Sequence, residues 1–338
     1  MNTIVKTLAL IIMLLPLSAQ AEQPSLFDMF GHTTVLEIEL QLNMDTLHAN
    51  VSNNREQPAL FRFKNSDGSW VELLSEVRAR GRFRRRTCDF PPLRIDFSKK
   101  DLRERGLEDF DDLKLVTHCM EGESGKEAVL REYLSYELYS QLTAYAYRAQ
   151  LVQVTYVDAW TGSRLTSYGI LLEDTDELAA RMGSKECEEC YGMSAVDFDA
   201  QNLHIHSLFQ YMIGNMDWSV PMVRNIKVMK PADGGKYWLA PYDFDFSGIV
   251  DAPYAIPNPD IGQRTVGDRV YQGPVLTAAE MEEVASHFKQ QKIALLETVK
   301  QFDELSKRSR REIWQYLRDF YDDLESGVLH NEITASTK

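Results

Sequence analysis

Residues 214–248 read GNMDWSVPMVRNIKVMKPADGGKYWLAPYDFDFSG, and this stretch decides the fold that the sequence predicts. Apolar residues at 226–229 are followed by the turn-forming run PADGG and by a second apolar segment at 237–240. A turn between two such segments is typical of a β-hairpin. Because a hairpin brings its two ends together, Asn225 before the first strand and Asp243 after the second should lie side by side.

Side chains with oxygen donors flank this predicted hairpin. Asp217 lies on the preceding loop, and Asp245 follows Asp243 two residues later. Carboxylate and amide oxygens are the ligands that Mg²⁺ and Mn²⁺ prefer. We therefore predict a metal site formed by Asn225, Asp243 and Asp245. The alternative is that each of these residues only stabilises a local turn, because short Asp and Asn side chains bond readily to their own backbone.

The first 21 residues have the features of a secretory signal peptide. A lysine supplies the basic start, an apolar run follows at residues 8–15, and Ala19 and Ala21 form a small-residue cleavage site. No later stretch approaches the roughly 18 uninterrupted apolar residues of a membrane-spanning helix. We therefore expect a mature chain from about Glu22, without stable membrane insertion, in the periplasm or outside the cell.

Acidic residues outnumber basic residues in this chain. It has 51 Asp and Glu against 37 Lys and Arg, which gives a formal net charge of −14 at pH 7. Nucleic acids and anionic membranes would repel such a protein at long range. Neither is therefore expected as the main partner.

Four cysteines are available for pairing. Because disulfides are common in exported proteins, we predict a bridge between Cys88 and Cys119 and a short bridge between Cys187 and Cys190. The CEEC run at residues 187–190 also has the spacing of a zinc-ligand pair or of a redox-active dithiol. Structural disulfides are favoured, because no histidine lies nearby at ligand spacing and the flanking acids disfavour a reactive thiolate.

Hydrophobic periodicity predicts an α+β protein with two lobes. Alternating apolar residues, clear at residues 36–44, predict an antiparallel, β-rich N-terminal lobe with one helix over residues 22–173. Helical spacing of apolar residues predicts a mostly helical C-terminal lobe over residues 174–330, which contains the metal-site hairpin. A short tail at residues 331–338 follows.

Charged residues stand out at two places in the first half. Five arginines occur at residues 80–86, beginning with Arg80. They could bind phosphate oxygens, or they could pair with the protein's own carboxylates. A helix predicted over residues 126–144 has Glu137 at the centre of its apolar stripe and Glu132 towards the edge. Because an unpaired buried charge is very costly, an ion pair between the lobes is expected here, unless the stripe ends near Glu137.

Six short motifs follow one another along the chain. They are VRARG at residues 77–81, FPPLRIDF at 90–97, LREYL at 130–134, YGILLE at 168–173, NMDW at 215–218 and PYDFD at 241–245. In this order they resemble the spore-coat protein CotH kinase family, secreted atypical kinases with a protein-kinase-like fold. The resemblance covers about residues 35–250 and implies a two-lobed protein-kinase-like architecture that uses ATP, or another nucleotide, with Mg²⁺ or Mn²⁺.

The resemblance also implies roles for single residues near the hairpin. Asp217 matches the family's catalytic aspartate, and Asp243 matches its metal-binding aspartate. Asn225 would be the second metal ligand, although it follows Asp217 by eight residues, against five in the ordinary kinase pattern.

Residues of the N-terminal lobe would bind the nucleotide. Glu173 matches the strand-end glutamate where the adenine docks. Where family members have the phosphate-contacting lysine, this chain has Arg94, and Lys114 on the next strand is the alternative. Arginine does not simply replace lysine at such a position, so the departure puts nucleotide affinity and catalysis in question.

Three functions are compatible with these features. The leading hypothesis is metal-dependent transfer of phosphate from a nucleotide to a hydroxyl of a protein or small molecule, with Asp217 orienting or deprotonating that hydroxyl. The second is a catalytically inactive binding module, which the missing lysine favours. The third is a metal-dependent phosphohydrolase that uses Asp243 and Asp245. It ranks last, because its aspartate pair normally follows a parallel strand rather than an antiparallel hairpin.

Overall fold

The structure is a computed structural model that describes residues 23–30, 34–81 and 83–334. The predicted signal peptide at residues 1–21 lies outside the described residues, as does the end of the predicted tail at residues 335–338.

Seven strands in the first half of the described chain form a closed barrel. They are β1 (Leu36–Leu42), β2 (Gln57–Lys64), β3 (Trp70–Ala79), β4 (Leu93–Phe97), β5 (Asp112–Val116), β6 (Ala149–Asp158) and β7 (Arg164–Leu172). Their order around the barrel is β1-β2-β3-β4-β5-β7-β6. Side chains alternate between the two faces, so that Leu36, Ile38 and Leu40 of β1 point into the barrel core.

This closed barrel overturns the predicted two-lobed protein-kinase-like fold. The individual strands are confirmed, but the predicted antiparallel lobe is wrong, because β1 pairs with β6 in parallel as well as with β2 antiparallel. Leu36 of β1 lies opposite Val152 of β6 in this parallel pairing. The pairing removes the free edges of the sheet and makes it a mixed barrel.

Helices dominate the second half, although the longest helix of the first half joins them. The helices are α1 (Met44–Ala49), α2 (Arg84–Thr87), α3 (Lys99–Glu104), α4 (Gly122–Leu142), α5 (Thr175–Arg181), α6 (Ala200–Met212), α7 (Ala278–Gln301), α8 (Lys307–Ser326) and α9 (Val328–Ile333). The capping box of Thr277 and Glu280 starts α7. Because Ile333 is buried at the end of α9, the first residues of the predicted tail are part of the helical core.

Two large apolar cores meet at α4. One fills the barrel, and the other lies between α4, α6, α7 and α8, with Ile170 and Leu172 on the outer face of β7 also contributing. The predicted hairpin is confirmed as β9 (Ile226–Pro231) and β10 (Trp238–Pro241), joined by β8 (Ser184–Glu186) in a small antiparallel sheet. The ends of this hairpin lie beside α4, where the two cores meet.

Both predicted disulfides are confirmed, and the described chain has no free cysteine. Cys88 at the end of α2 is bonded to Cys119 before α4, and Cys187 is bonded to Cys190 after β8. They fit an oxidising compartment outside the cytoplasm. A search of the described residues finds no helix that is both long and apolar enough to cross a membrane.

The two disulfides should contribute unequally to stability. Cys88 and Cys119 are 31 residues apart, whereas Cys187 and Cys190 are 3 apart. Because the longer loop loses more entropy in the unfolded chain, we expect the double serine variant at Cys88 and Cys119 to lose about 3–4 kcal/mol, against about 2 kcal/mol for the other pair. Urea unfolding of the two variants measures this difference. Equal losses would contradict it.

Candidate functional site

A buried guanidinium lies among three carboxylates where the barrel meets the helices. The side chain of Arg84 on α2 is 8% exposed. Its Nη1 lies 3.7 Å from Glu132 Oε2, and its Nε lies 3.2 Å from Asp245 Oδ2. Its Nη2 contacts Asp243 Oδ1. We call Glu132, Asp243 and Asp245 the acidic cluster, and its pairing with Arg84 joins the first and second halves of the chain.

Two elements hold the acidic cluster in place. Glu132 lies in the middle of α4, and the two aspartates follow β10. The backbone N–H of Asp243 donates to Tyr136 Oη over 2.9 Å, and Tyr136 lies one turn after Glu132 on α4. Tyr254 Oη donates to Asp245 Oδ2 over 3.0 Å. The helix α4 therefore fixes both its own glutamate and the backbone of Asp243.

The acidic cluster has more negative charge than one guanidinium neutralises. Burial raises the pKa of the Glu132 carboxyl above its usual range; Arg84 lowers that pKa, and the nearby Asp245 raises it. Glu132 Oε1 has no hydrogen-bond partner within the part of the chain that the structure describes. Proton uptake by Glu132 therefore reduces the excess of negative charge in this buried site.

Asp217 and Asn225 are in direct contact at the open end of the hairpin. Asn225 Nδ2 donates to Asp217 Oδ2 over 2.9 Å and to its backbone oxygen over 2.7 Å. Arg224 Nη1 lies 3.3 Å from Asp217 Oδ1. The backbone oxygen of Asn225 accepts the N–H of Tyr242 over 3.1 Å, which places Asp243 next in the chain beside this pair. The hairpin thus brings Asp217, Asn225 and Asp243 to one place.

Backbone conformation at this place is unusual for residues other than glycine. Val223, Asn225 and Asp243 have φ angles of 48°, 52° and 67°. This left-handed region is uncommon for residues other than glycine. Its cost in conformational free energy is highest for a β-branched side chain such as valine. Strained backbone of this kind clusters at functional sites, where the surrounding structure holds it.

Two further cations, Lys114 and Arg80, lie on the barrel side of the acidic cluster. Lys114 of β5 is buried, its Nζ donates to Thr175 Oγ1 over 2.7 Å, and it lies 5.4 Å from the centre of the Tyr147 ring. Burial lowers the pKa of Lys114 to about 8; the nearby carboxylate of Asp112 opposes this shift, and the nearby charge of Arg80 adds to it. Burial also lowers the pKa of Arg80, and Arg84 acts in the same direction. Neither cation pairs with a carboxylate of the described residues.

Arg94 lies on the same face of the barrel but differs from these two cations. It is opposite Lys114 in the pairing of β4 with β5. Its Nη2 lies 2.9 Å from Asp96 Oδ2, and its Nε lies 3.2 Å from Asp112 Oδ1. Because both sides of its guanidinium are already occupied, Arg94 is a poorer candidate for phosphate contact than Lys114.

Glu173 is fully buried in an arginine network of its own. It accepts hydrogen bonds from the Arg148 backbone N–H over 2.7 Å, from Arg148 Nε over 2.8 Å and from Arg181 Nη2 over 2.8 Å. Arg148 also contacts Asp28 and Glu177. With these contacts the carboxylate is saturated, so the geometry gives it a structural role rather than a free position for docking an adenine.

Glu137 lies apart from the acidic cluster, and Glu132 is the more buried of the two. The prediction that Glu137 lies at the centre of the buried face of α4, with Glu132 towards its edge, is therefore wrong. Glu137 lines a cavity of about 540 Å³ together with Tyr136, Tyr147 and Arg148. Burial raises the pKa of the Glu137 carboxyl, and a hydrogen bond from Tyr133 lowers it. The two tyrosines in the wall also contact the site, Tyr136 through Asp243 and Tyr147 through Lys114.

A second cavity opens beside Asp217. It has a volume of about 430 Å³, and Asp217 and Arg224 line it together with apolar side chains that include Phe83, Phe246 and Ile256. The Asp217 side chain is 37% exposed and therefore reachable from this cavity. The opening is large enough to admit a side chain or a small molecule that carries a hydroxyl.

The residues as they stand do not fit the predicted Mg²⁺ or Mn²⁺. Among the described residues no group of three or more His, Cys, Asp or Glu is arranged to hold a metal ion. The guanidinium of Arg84 already lies between Asp243 and Asp245, and Asn225 directs its amide nitrogen at Asp217. A divalent ion needs several oxygens about 2.0–2.6 Å away from a common point, and Arg84 occupies that space.

The sequence did not predict the central position of Arg84. It also did not predict that Tyr136 and Tyr254 would hydrogen-bond to Asp243 and Asp245. The arginine run at residues 80–86 signalled an unusual feature, but it did not separate the buried member from the exposed ones. Tyr136 follows Glu132 by one helical turn, which is a spacing that could have linked the two residues.

No protein-family model matches this chain, and no curated protein matches it. The resemblance to the CotH kinase family therefore rests on the motifs quoted above and stays a prediction.

Glu173 should matter more for stability than Glu137. Replacing Glu173 with alanine leaves Arg148 and Arg181 without their shared buried carboxylate, and we expect a loss of about 3 kcal/mol. The half-buried Glu137 has no cationic partner in the described chain, so the alanine variant there should lose less than about 1 kcal/mol. Chemical unfolding compares the two variants. A larger loss at Glu137 would contradict the assigned structural role of Glu173.

Proposed function

We propose that this chain transfers a phosphoryl group from a nucleotide to a hydroxyl of a protein or small molecule outside the cytoplasm. One observation carries the proposal: Asp217, Asn225 and Asp243 lie together at one end of the hairpin, and Arg84, which contacts Asp243, has the further cation Arg80 near it. Acidic and amide groups beside unpaired cations suit a reaction in which charge on phosphate must be positioned and neutralised.

The residues of the proposed site would have distinct roles. Asp217 would orient the acceptor hydroxyl and take its proton, because it is partly exposed and lines the cavity beside it. Asn225 would hold the Asp217 carboxylate in position through its amide. Arg80 and Lys114 would bind the phosphate oxygens of the nucleotide, because neither forms a direct ion pair with a described carboxylate, although Asp112 attracts both.

The proposed place of action is outside the cytoplasm. The two disulfides fit an oxidising compartment, and the predicted signal peptide would deliver the chain to the periplasm or the medium. The acceptor would then be a protein or a small molecule of that compartment.

A second candidate function is binding of a phosphate-bearing ligand without turnover. The pairing of Arg84 with the acidic cluster favours it, because Arg84 already contacts an oxygen of each of the two aspartates at the hairpin end. The saturated carboxylate of Glu173 favours it too, since the predicted contact with an adenine is then lost.

Turnover and binding can be separated with an Asp217→Asn variant. If Asp217 is the base, we expect phosphate transfer from radiolabelled ATP to fall by about 100-fold or more, with ATP affinity by calorimetry changed less than about three-fold. Asp233→Asn, an exposed aspartate in the hairpin turn, is the matched control and should keep full activity. If the wild type binds ATP but transfers no phosphate, phosphoryl transfer is rejected and binding without turnover is supported. Absence of both would reject both proposals.

The binding of phosphate groups should weaken at alkaline pH. Burial lowers the pKa of Lys114 to about 8, so this lysine is charged at pH 7 and mostly neutral at pH 9. An anion binds only the charged form well, and we expect pyrophosphate affinity to fall about ten-fold from pH 7 to pH 9. Lys114→Met should bind more weakly at pH 7 and lose this pH dependence. Lys64→Met, which removes a surface lysine of the barrel, is the control and should keep the wild-type profile.

A further inference from the structure

The acidic cluster already contains a positive charge, the guanidinium of Arg84. Arg84 is the only described cation that pairs with Glu132, Asp243 or Asp245, and it contacts all three. Glu132 and Asp245 are 3% and 4% exposed on the side chain, so water contributes little to their solvation. A positive charge at this place is therefore required for the buried carboxylates to remain ionised.

The short helix that carries Arg84 is held from several sides. Cys88 at its end is bonded to Cys119, which fixes α2 to the segment before α4. The ring of Phe83 lies 5.3 Å from the ring of Phe246 and 6.3 Å from the ring of Tyr254. These contacts make α2 part of the packed structure rather than a free loop. The backbone that carries Arg84 is therefore anchored close to the acidic cluster.

A divalent ion and the guanidinium compete for the same oxygens. Mg²⁺ and Mn²⁺ would need Asp243 and Asp245 as direct ligands, and Arg84 contacts one oxygen of each. If Arg84 stayed, the ion would meet a positive charge within contact distance. If Arg84 left, a buried arginine would need a new partner in this part of the chain.

We propose that Arg84 is the permanent cation of the acidic cluster and takes the place of a divalent ion, so that this chain holds phosphate groups without a metal. The statement about metal concerns the acidic cluster alone. The statement about phosphate rests on the proposed function. Arg80 and Lys114, which form no direct ion pair with a described carboxylate although Asp112 attracts both, would then supply the charge that a metal ion usually brings to a bound nucleotide.

Manganese binding by the mature protein tests the first part directly. Electron paramagnetic resonance of free Mn²⁺ measures the bound fraction for the wild type and for Arg84→Ala, and thermal unfolding with Mn²⁺ gives an independent value. We expect the wild type to leave Mn²⁺ free at millimolar concentration. Arg84→Ala should bind it at least ten-fold more tightly, because three carboxylates then face an open space. Adding Asp243→Asn to that variant should abolish the gain.

The control is Arg86→Ala, which removes an exposed arginine of the same helix and should behave as the wild type. Mn²⁺ binding by the wild type that is lost in Asp243→Asn would overturn the proposal. A folded Arg84→Ala variant that gains no Mn²⁺ affinity would also overturn it. If Arg84→Ala does not fold, the wild type and Asp243→Asn decide the outcome by themselves: no Mn²⁺ bound by the wild type supports the proposal.

ATP binding in the presence of a chelator tests the second part. Calorimetry with EDTA and then with Mg²⁺ should give ATP affinities within about three-fold of each other for the wild type. A rise of ten-fold or more with Mg²⁺ would overturn metal-independent binding. Failure to bind ATP under both conditions would reject the proposed function, whereas the manganese result would still decide the role of Arg84.

Discussion

The burial of the Arg84 guanidinium among three carboxylates is the constraint on which the site depends. It connects α2, the middle of α4 and the segment after β10, which lie far apart in the sequence. Removing one partner of such a buried group typically costs about 3–5 kcal/mol, because a charge remains without compensation. The barrel and the helices therefore have a fixed relation at this point, and the cleft between them has a fixed shape.

Local patterns predicted the elements of this fold but not their assembly. Alternation in β1 and the turn of the β9–β10 hairpin depend on neighbouring residues, and both were found where expected. Closure of the barrel depends on the parallel pairing of β1 with β6, two strands separated by most of the first half. No local pattern encodes such a pairing. The two-lobed prediction was wrong for this reason.

The same limit explains which parts of the candidate site were predicted. Asn225 and Asp243 were placed together by the hairpin, whose turn chemistry is local. Arg84 could not be distinguished from its four neighbouring arginines, because its burial depends on carboxylates more than forty residues away. Of the two interpretations of the arginine run, pairing with the protein's own acids is confirmed for Arg84, and phosphate binding stays a prediction. Arg84 pairs with the protein's own acids, whereas Arg80 has no carboxylate partner among the described residues.

The charge distribution fits the small anionic ligand of the proposed function. A net charge of −14 disfavours the long-range approach of nucleic acids and anionic membranes. Near the acidic cluster, Arg80 and Lys114 add positive charge that forms no direct ion pair with a described carboxylate, although Asp112 attracts both. In the proposed function a compact phosphate group would meet these cations over a short distance, where the distant negative surface is largely screened. A polyanion cannot do so without bringing its remaining charges against the acidic surface.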